Sequence, residues 1–169
     1  LDYFADLNDV PSPYLDGYFD KFFDNKLYPL IETNRGCPFS CSFCQQGESY
    51  FSKIAFKGFE KVKEELHYIA KNMTEKSPGV SHIEIADPNF AMYPQDLKIC
   101  EEFRNIQDKY GWPKFIGCST GKNQPERILN AVSKVYPDSL LISNSMQSTN
   151  EQTLEAIKRS NINLETYSK

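Results

Sequence analysis

Residues 32–47 read Glu32-Thr33-Asn34-Arg35-Gly36-Cys37-Pro38-Phe39-Ser40-Cys41-Ser42-Phe43-Cys44-Gln45-Gln46-Gly47. Three of the chain's five cysteines fall here, Cys37, Cys41 and Cys44, in the spacing Cys-x-x-x-Cys-x-x-Cys. Three thiolates this close suit a cluster of iron and sulfide. Each binds one metal while the short loop wraps the group, and a four-iron cubane held this way keeps one iron without a protein ligand. Other readings compete. At i, i+4 and i+7 the thiols would share a helical face, where free cysteine packs as a small apolar side chain. Asn34 and Glu48 on the same stripe, and the turn residues Gly36 and Pro38, oppose that. A zinc site needs a fourth ligand, and Cys100, Cys118, His67 and His82 lie far off without a second paired motif. A disulfide framework belongs to short chains that lack a core.

The chain is long enough for one domain with a real core, at 169 residues, 40% hydrophobic and 14% aromatic. A net charge of -4 and a pI near 5.3 give no general basic footprint for nucleic acid. No apolar run approaches the roughly 20 residues of a membrane span, and no signal peptide opens the chain. Five cysteines without an export signal point to a reducing, cytoplasmic setting.

Outward from the cysteines the sequence alternates strand and helix. Residues 1–29 read as a linker and a short helix over 14–23, where Tyr14, Tyr18, Phe19, Phe22 and Phe23 recur at helical spacing. Leu30 to Thr33 is a short strand ending at the cysteine loop, and Tyr50 to Phe56 holds a small extra strand. Phe59, Val62, Leu66, Ile69 and Met73 form one helical stripe. Val80 to Ala86 alternates as a strand, closed by Asp87, Pro88 and Asn89. A helix over Pro94 to Tyr110, a strand over Phe115 to Ser119 and a helix over Gln124 to Val135 follow, with Pro125 suited to a first turn. Ser139 to Met146 reads as a fourth strand and Thr149 to Arg159 as a fourth helix capped by Thr149. Such alternation predicts an α/β fold with parallel strands and right-handed crossovers, curved as part of a barrel. Loops at the C-terminal ends of parallel strands converge on one face, where ligands bind. The cysteine loop, Asp87 to Phe90, Ser119 to Asn123 and Gln147 to Thr149 all leave strands on that rim. Glu32 is expected to pair with Arg35, since a buried carboxylate needs a partner. Cys118 is expected to be an inert buried thiol, and the pattern leaves Lys122 undecided between neutralising a carboxylate at the rim and being simply solvated.

The stretch Glu32 to Gly47 resembles the cluster-binding loop of the radical S-adenosylmethionine enzymes, with an aromatic, Phe43, just before the last cysteine. The resemblance implies that Cys37, Cys41 and Cys44 hold a 4Fe-4S cluster and that S-adenosylmethionine binds the open iron. One electron from the reduced cluster then cleaves it to a 5'-deoxyadenosyl radical. The cofactors carry this chemistry and no side chain takes a catalytic role. Phe43 maps to the position that approaches the adenine. Where the family often has Gly-Gly-Glu for the methionine amine, this chain has Ala86-Asp87-Pro88-Asn89, which makes Asp87 and Asn89 the candidates there. Ser119, and Ser143, Ser145 and Gln147 on the fourth strand, are candidates for ribose or carboxylate contacts.

The family uses six βα units, so the chain reads as about four units of a partial barrel over 30–169, a fragment not expected to turn over alone. Its open sheet edge invites self-association. Pro11-Ser12-Pro13-Tyr14-Leu15, Pro29 to Pro38 and Arg159-Ser160-Asn161-Ile162 resemble those radical enzymes that carry an N-terminal cobalamin-binding domain. That implies cobalamin held by a domain absent from this chain, which lacks the family's Asp-x-His-x-x-Gly signature. The expected partners are a small-molecule or macromolecular substrate and a one-electron reductant such as flavodoxin or ferredoxin. The rival functions are a zinc-stabilised α/β binding module and a plain iron-sulfur electron carrier.

Overall fold

The computed structural model of the chain describes residues 6–143 and 145–161. Ile162 of the 159–162 motif and the last seven residues of the expected core lie outside these. Strand β1 (Leu30–Ile31) leads to a small antiparallel pair, β2 (Asn34–Arg35) with β3 (Ala55–Phe56). Then come α1 (Phe59–Lys76), β4 (His82–Phe90), α2 (Pro94–Tyr110), β5 (Phe115–Thr120), α3 (Pro125–Lys134) and α4 (Glu151–Ala156). The main sheet is parallel in the order β1-β4-β5, with Ile31 opposite Ile85 and Ile83 opposite Ile116.

Strand order follows chain order without reversal, and α1 packs beside α2 and α2 beside α3. All three helices therefore cover one face, which is the geometry of a barrel wall rather than of a doubly wound sheet. On the covered side Val62, Leu66, Ile69 and Met73 of α1 meet Ile83, Ile85 and Ile116 of the strands and Ile99, Cys100, Phe103 and Ile106 of α2, all buried. Each such side chain contributes about 1.5–3 kcal/mol by leaving water. The alternate strand positions, His82, Glu84, Gly117 and Ser119, are not buried and face the open side.

Several elements differ from the sequence reading. The helix expected over 14–23 is a series of turns with a 3-10 turn at Asp20–Phe22. Its aromatics do not share a stripe: Tyr14 and Phe23 join the core while Tyr18, Phe19 and Phe22 are exposed. Strand β4 runs on through Asp87-Pro88-Asn89, with a register shift against β5 between Ile85 and Phe90. Among the described residues the expected fourth strand is reduced to one parallel bridge, Leu140 opposite Ile116. Beyond it Leu141 and Ile142 are exposed, and the Ser143 carbonyl accepts from the Thr120 amide (3.2 Å) and hydroxyl (2.7 Å). The cap of α4 is Asn150, whose side chain accepts from the Thr153 amide at 2.9 Å, and not Thr149; asparagine is the stronger N-cap.

The N-terminal segment is tied to the sheet by Tyr14. Its hydroxyl donates to the Leu30 carbonyl at 2.8 Å and accepts from the Leu30 amide at 3.1 Å. Tyr14→Phe leaves both groups of an edge strand without these partners, so unfolding free energy is expected to fall by about 1 kcal/mol. A thermal melt checks this, with a loss of roughly 2–4 °C for a chain of this size.

At the start of α2, Asp96 is fully buried; its Oδ2 accepts from the Tyr93 amide at 2.9 Å and its Oδ1 has no partner among the described residues. Burial, partly offset by the Tyr93 hydrogen bond, pushes its pKa up to about 7. The folded state thus holds this proton more tightly than the unfolded chain does. The resulting stability is complete below the ordinary carboxylate range and is lost as pH rises through about 7. Asp96→Asn removes the titration, so the parent's Tm is expected to decline relative to this variant between about pH 4 and pH 7. Parallel melts across that range check it.

Candidate functional site

Directly after β1 the chain crosses the buried carboxylate of Asp87. The Asp87 Oδ1 accepts from the Thr33 amide (2.7 Å) and the Asn34 amide (3.2 Å), and its Oδ2 accepts from the Thr33 hydroxyl and from Asn34 Nδ2 (2.8 Å). Burial raises its pKa to about 6 against the pull of these hydrogen bonds. Glu32 and Arg35 form the expected ion pair, with Arg35 Nη2 2.6 Å from Glu32 Oε2.

The cysteine loop begins at Gly36, whose φ is 109° and whose place a Cβ would fill only 2.3 Å from the Lys53 carbonyl oxygen. Only glycine permits both. The Cys37 amide then donates to the Phe51 carbonyl at 2.8 Å. Further on, the Cys44 amide donates to the Cys41 carbonyl (3.1 Å) and the Gly47 amide to the Cys44 carbonyl (2.9 Å). Gly47 lies so close to the loop that a Cβ would stand 2.3 Å from the Cys41 carbonyl oxygen. The Ser42 amide donates to the Ile157 carbonyl at 3.0 Å, which fastens the loop to the end of α4.

All three cysteines line one cleft of about 220 Å³, which opens where β4 and β5 end. Of the other residues named from the sequence, Phe43, Asn89, Ser119, Ser143 and Ser145 line the same cleft. Asp87 and Gln147 do not. The first is turned to Thr33 and Asn34 beneath the loop, so all its acceptor capacity is used there. Gln147 is exposed at a left-handed turn with φ of 63°, which ends the extended run that would have aimed it inward.

Four polar wall residues were not singled out as cofactor contacts by sequence: Gln46, Thr120, Lys122 and Arg159. Gln46 Oε1 is buried without a hydrogen-bond partner among the described residues. Lys122 is 6% exposed, with its ammonium 3.5 Å from Cys41 Sγ and 4.1 Å from the centre of the Phe39 ring. Asn89 Nδ2 lies 3.3 Å from Cys37 Sγ. Arg159 donates to the Ser145 carbonyl and, through Nε, to Asn161 Oδ1 at 2.8 Å; Asn161 Nδ2 in turn binds the Met146 carbonyl at 2.6 Å. The Arg159-Ser160-Asn161 motif thus shapes the 145–148 loop. A lysine at the end of a parallel strand was the available signal for Lys122; Gln46 carried none.

The donor set fits a polynuclear cluster. Three thiols face one space, donors approach two of them, and an orphaned amide oxygen waits in the same wall. No three His, Cys, Asp or Glu side chains among the described residues gather around one ion position. The other two cysteines are of a different kind: burial pushes the Cys118 thiol up to about 12 and the Cys100 thiol well above its ordinary range.

The sequence profile of the Radical SAM superfamily matches residues 31–167, which takes in the cysteine loop and the sheet. This chain belongs to the radical SAM superfamily. Its enzymes use a 4Fe-4S cluster and S-adenosylmethionine. Two curated relatives are each 36% identical to it. One is the 2-(S-pantetheinyl)-carbapenam-3-carboxylate methyltransferase of Streptantibioticus cattleyicolor, matched over 95% of this chain and 24% of its own length. The other is the cobalamin-dependent radical SAM methyltransferase TokK of Streptomyces tokunonensis, over 96% and 24%. The chain therefore spans about a quarter of the length of these relatives. Among solved structures, the cobalamin-dependent S-adenosylmethionine radical enzyme OxsB, with aqua-cobalamin and S-adenosylmethionine bound, shares the fold at a TM-score of 0.53 and 18% identity, over 88% of this radical SAM chain and 22% of that one. No helix among the described residues is long and apolar enough to cross a membrane.

Proposed function

We propose that this chain is the cluster- and S-adenosylmethionine-binding core of a cobalamin-dependent radical SAM methyltransferase. The observation that carries the reading is the convergence of Cys37, Cys41 and Cys44 on one cleft at the strand ends. Their thiolates would each hold one iron of a 4Fe-4S cluster. Bound there, the cluster supplies the electron for reductive cleavage of S-adenosylmethionine, delivered by an external one-electron donor of the flavodoxin or ferredoxin class in the cytoplasm.

The chain's own part is placement and exclusion of water. Phe43, half exposed at the cleft mouth, offers a face for the adenine. Ser119, Thr120 and Ser145 offer hydroxyls, and Gln46 an unpaired oxygen, to the polar groups of the nucleoside and amino acid. Asp87 takes a supporting role beneath the loop rather than a contact with the methionine amine. The methyltransferase class rests on the names of both relatives and cobalamin use on that of TokK alone, and the corrinoid would be bound by a region outside this chain.

Anaerobic reconstitution tests the reading. Iron and sulfide in cluster proportion, followed by a change in the electron paramagnetic resonance of the reduced protein on adding S-adenosylmethionine, are the expected results. Stoichiometric zinc without iron would indicate the zinc-stabilised module instead, and a spectrum indifferent to S-adenosylmethionine would indicate an electron carrier.

A further inference from the structure

Two cations line the cysteine cleft, and they are placed differently. The Arg159 guanidinium is spent on the Ser145 carbonyl and Asn161. The Lys122 side chain is buried, and no carboxylate among the described residues lies within ion-pair distance of it. Its ammonium instead faces Cys41 Sγ and the ring of Phe39. A buried ammonium without a counter-charge is costly, and an aromatic face offsets only part of that cost. The position therefore calls for a negative group on the sulfur side.

We infer that Lys122 sets the reduction potential of the cluster held by the three cysteines, through its charge on the Cys41 sulfur; this rests on the functional reading above. Reduction adds one electron from the external donor, breaks no bond and adds one negative charge to the cluster and its thiolates. A fixed positive charge at the sulfur stabilises that state and raises the potential. Net charge, hydrogen bonds to sulfur and solvent exposure are the levers by which proteins set such potentials. Burial matters here because a charge this enclosed is little screened by salt or water. Asn89, donating to Cys37 Sγ, acts in the same direction with a dipole in place of a charge. The two donors arrive from the ends of neighbouring strands, β5 and β4, so the sheet itself holds them at the cluster. Lys122 is thus a positioning residue for an electron rather than a catalytic one.

The test reconstitutes the parent, Lys122→Met, Lys122→Gln and Lys122→Arg, quantifies iron and sulfide in each, and titrates each reductively without S-adenosylmethionine. Resonance of the reduced cluster reports the midpoint. Both neutral variants should titrate at more negative potential than the parent, with Lys122→Arg close to the parent. Neutral variants that load cluster at the parental potential overturn the inference, including the case in which only their affinity for S-adenosylmethionine falls, since the ammonium would then be pairing with that cofactor's carboxylate. Failure of both neutral variants to load, with Lys122→Arg loading, also overturns it, because the charge would then serve assembly. A parent that takes up no cluster sinks the functional reading itself.

Discussion

Replacing any one of Cys37, Cys41 and Cys44 with alanine is expected to reduce cluster uptake to background, whereas Cys100→Ala and Cys118→Ala leave it at the parental level. The contrast follows from placement. The first three thiols line a single cleft, on a loop fixed by Gly36, Gly47 and the Ser42–Ile157 hydrogen bond. The other two belong to the hydrophobic core, where burial raises their thiol pKa values and disfavours the thiolate. Thiolate is the form that binds metal. Losing a ligand must cost more than the roughly tenfold to hundredfold loss caused by removing an outer-shell partner, and two thiolates cannot close the loop around a cubane. Iron and sulfide analysis after anaerobic reconstitution checks the set. Full cluster content in any of the first three variants would remove the cysteines from the site.

What the sequence disclosed here, and what it hid, divides by distance along the chain. The stripe Val62, Leu66, Ile69, Met73 and the alternation of Ile83 and Ile85 are local patterns, and both elements formed with those residues inward. The cysteine loop was legible for the same reason, since its whole chemistry fits in eight residues, 37–44. The partners of that loop were not. Lys122 meets Cys41 across 81 positions and Asn89 meets Cys37 across 52. No periodicity encodes such contacts; they exist because successive parallel strands end on one rim. The expected fourth strand failed for a related reason. Leu140, Leu141 and Ile142 are apolar in a row, without the alternation that fixes a half-buried strand, and only Leu140 finds the core. The sequence set Asp87 at a strand end on the ligand rim, but nothing local showed that the chain would carry Thr33 and Asn34 across it.

That crossing supports the second large effect. Asp87→Ala is expected to cost several kcal/mol, on the order of 1–3 for each buried donor that finds no other acceptor, and to lower cluster content as well. Four donors converge on this carboxylate, two of them backbone amides, and all are buried with it. Alanine leaves them without partners, and each unsatisfied buried group costs about 1–3 kcal/mol. A loss of this size is a large fraction of the roughly 5–15 kcal/mol that holds a domain together. Asp87→Asn should be milder. Its retained oxygen keeps the Thr33 and Asn34 amides, and its new NH2 group can donate to the Thr33 hydroxyl; only Asn34 Nδ2 then meets another donor. The two substitutions therefore separate filling the position from accepting four hydrogen bonds. Because Thr33 and Asn34 lie three to four residues before Cys37, release of their amides frees the root of the cysteine loop. Chemical denaturation and iron analysis on the same samples check both parts: an alanine variant as stable as the asparagine one would show that the donors find water instead, and a destabilised variant with full cluster would show that the loop is held by Gly36 and the Phe51 contact alone.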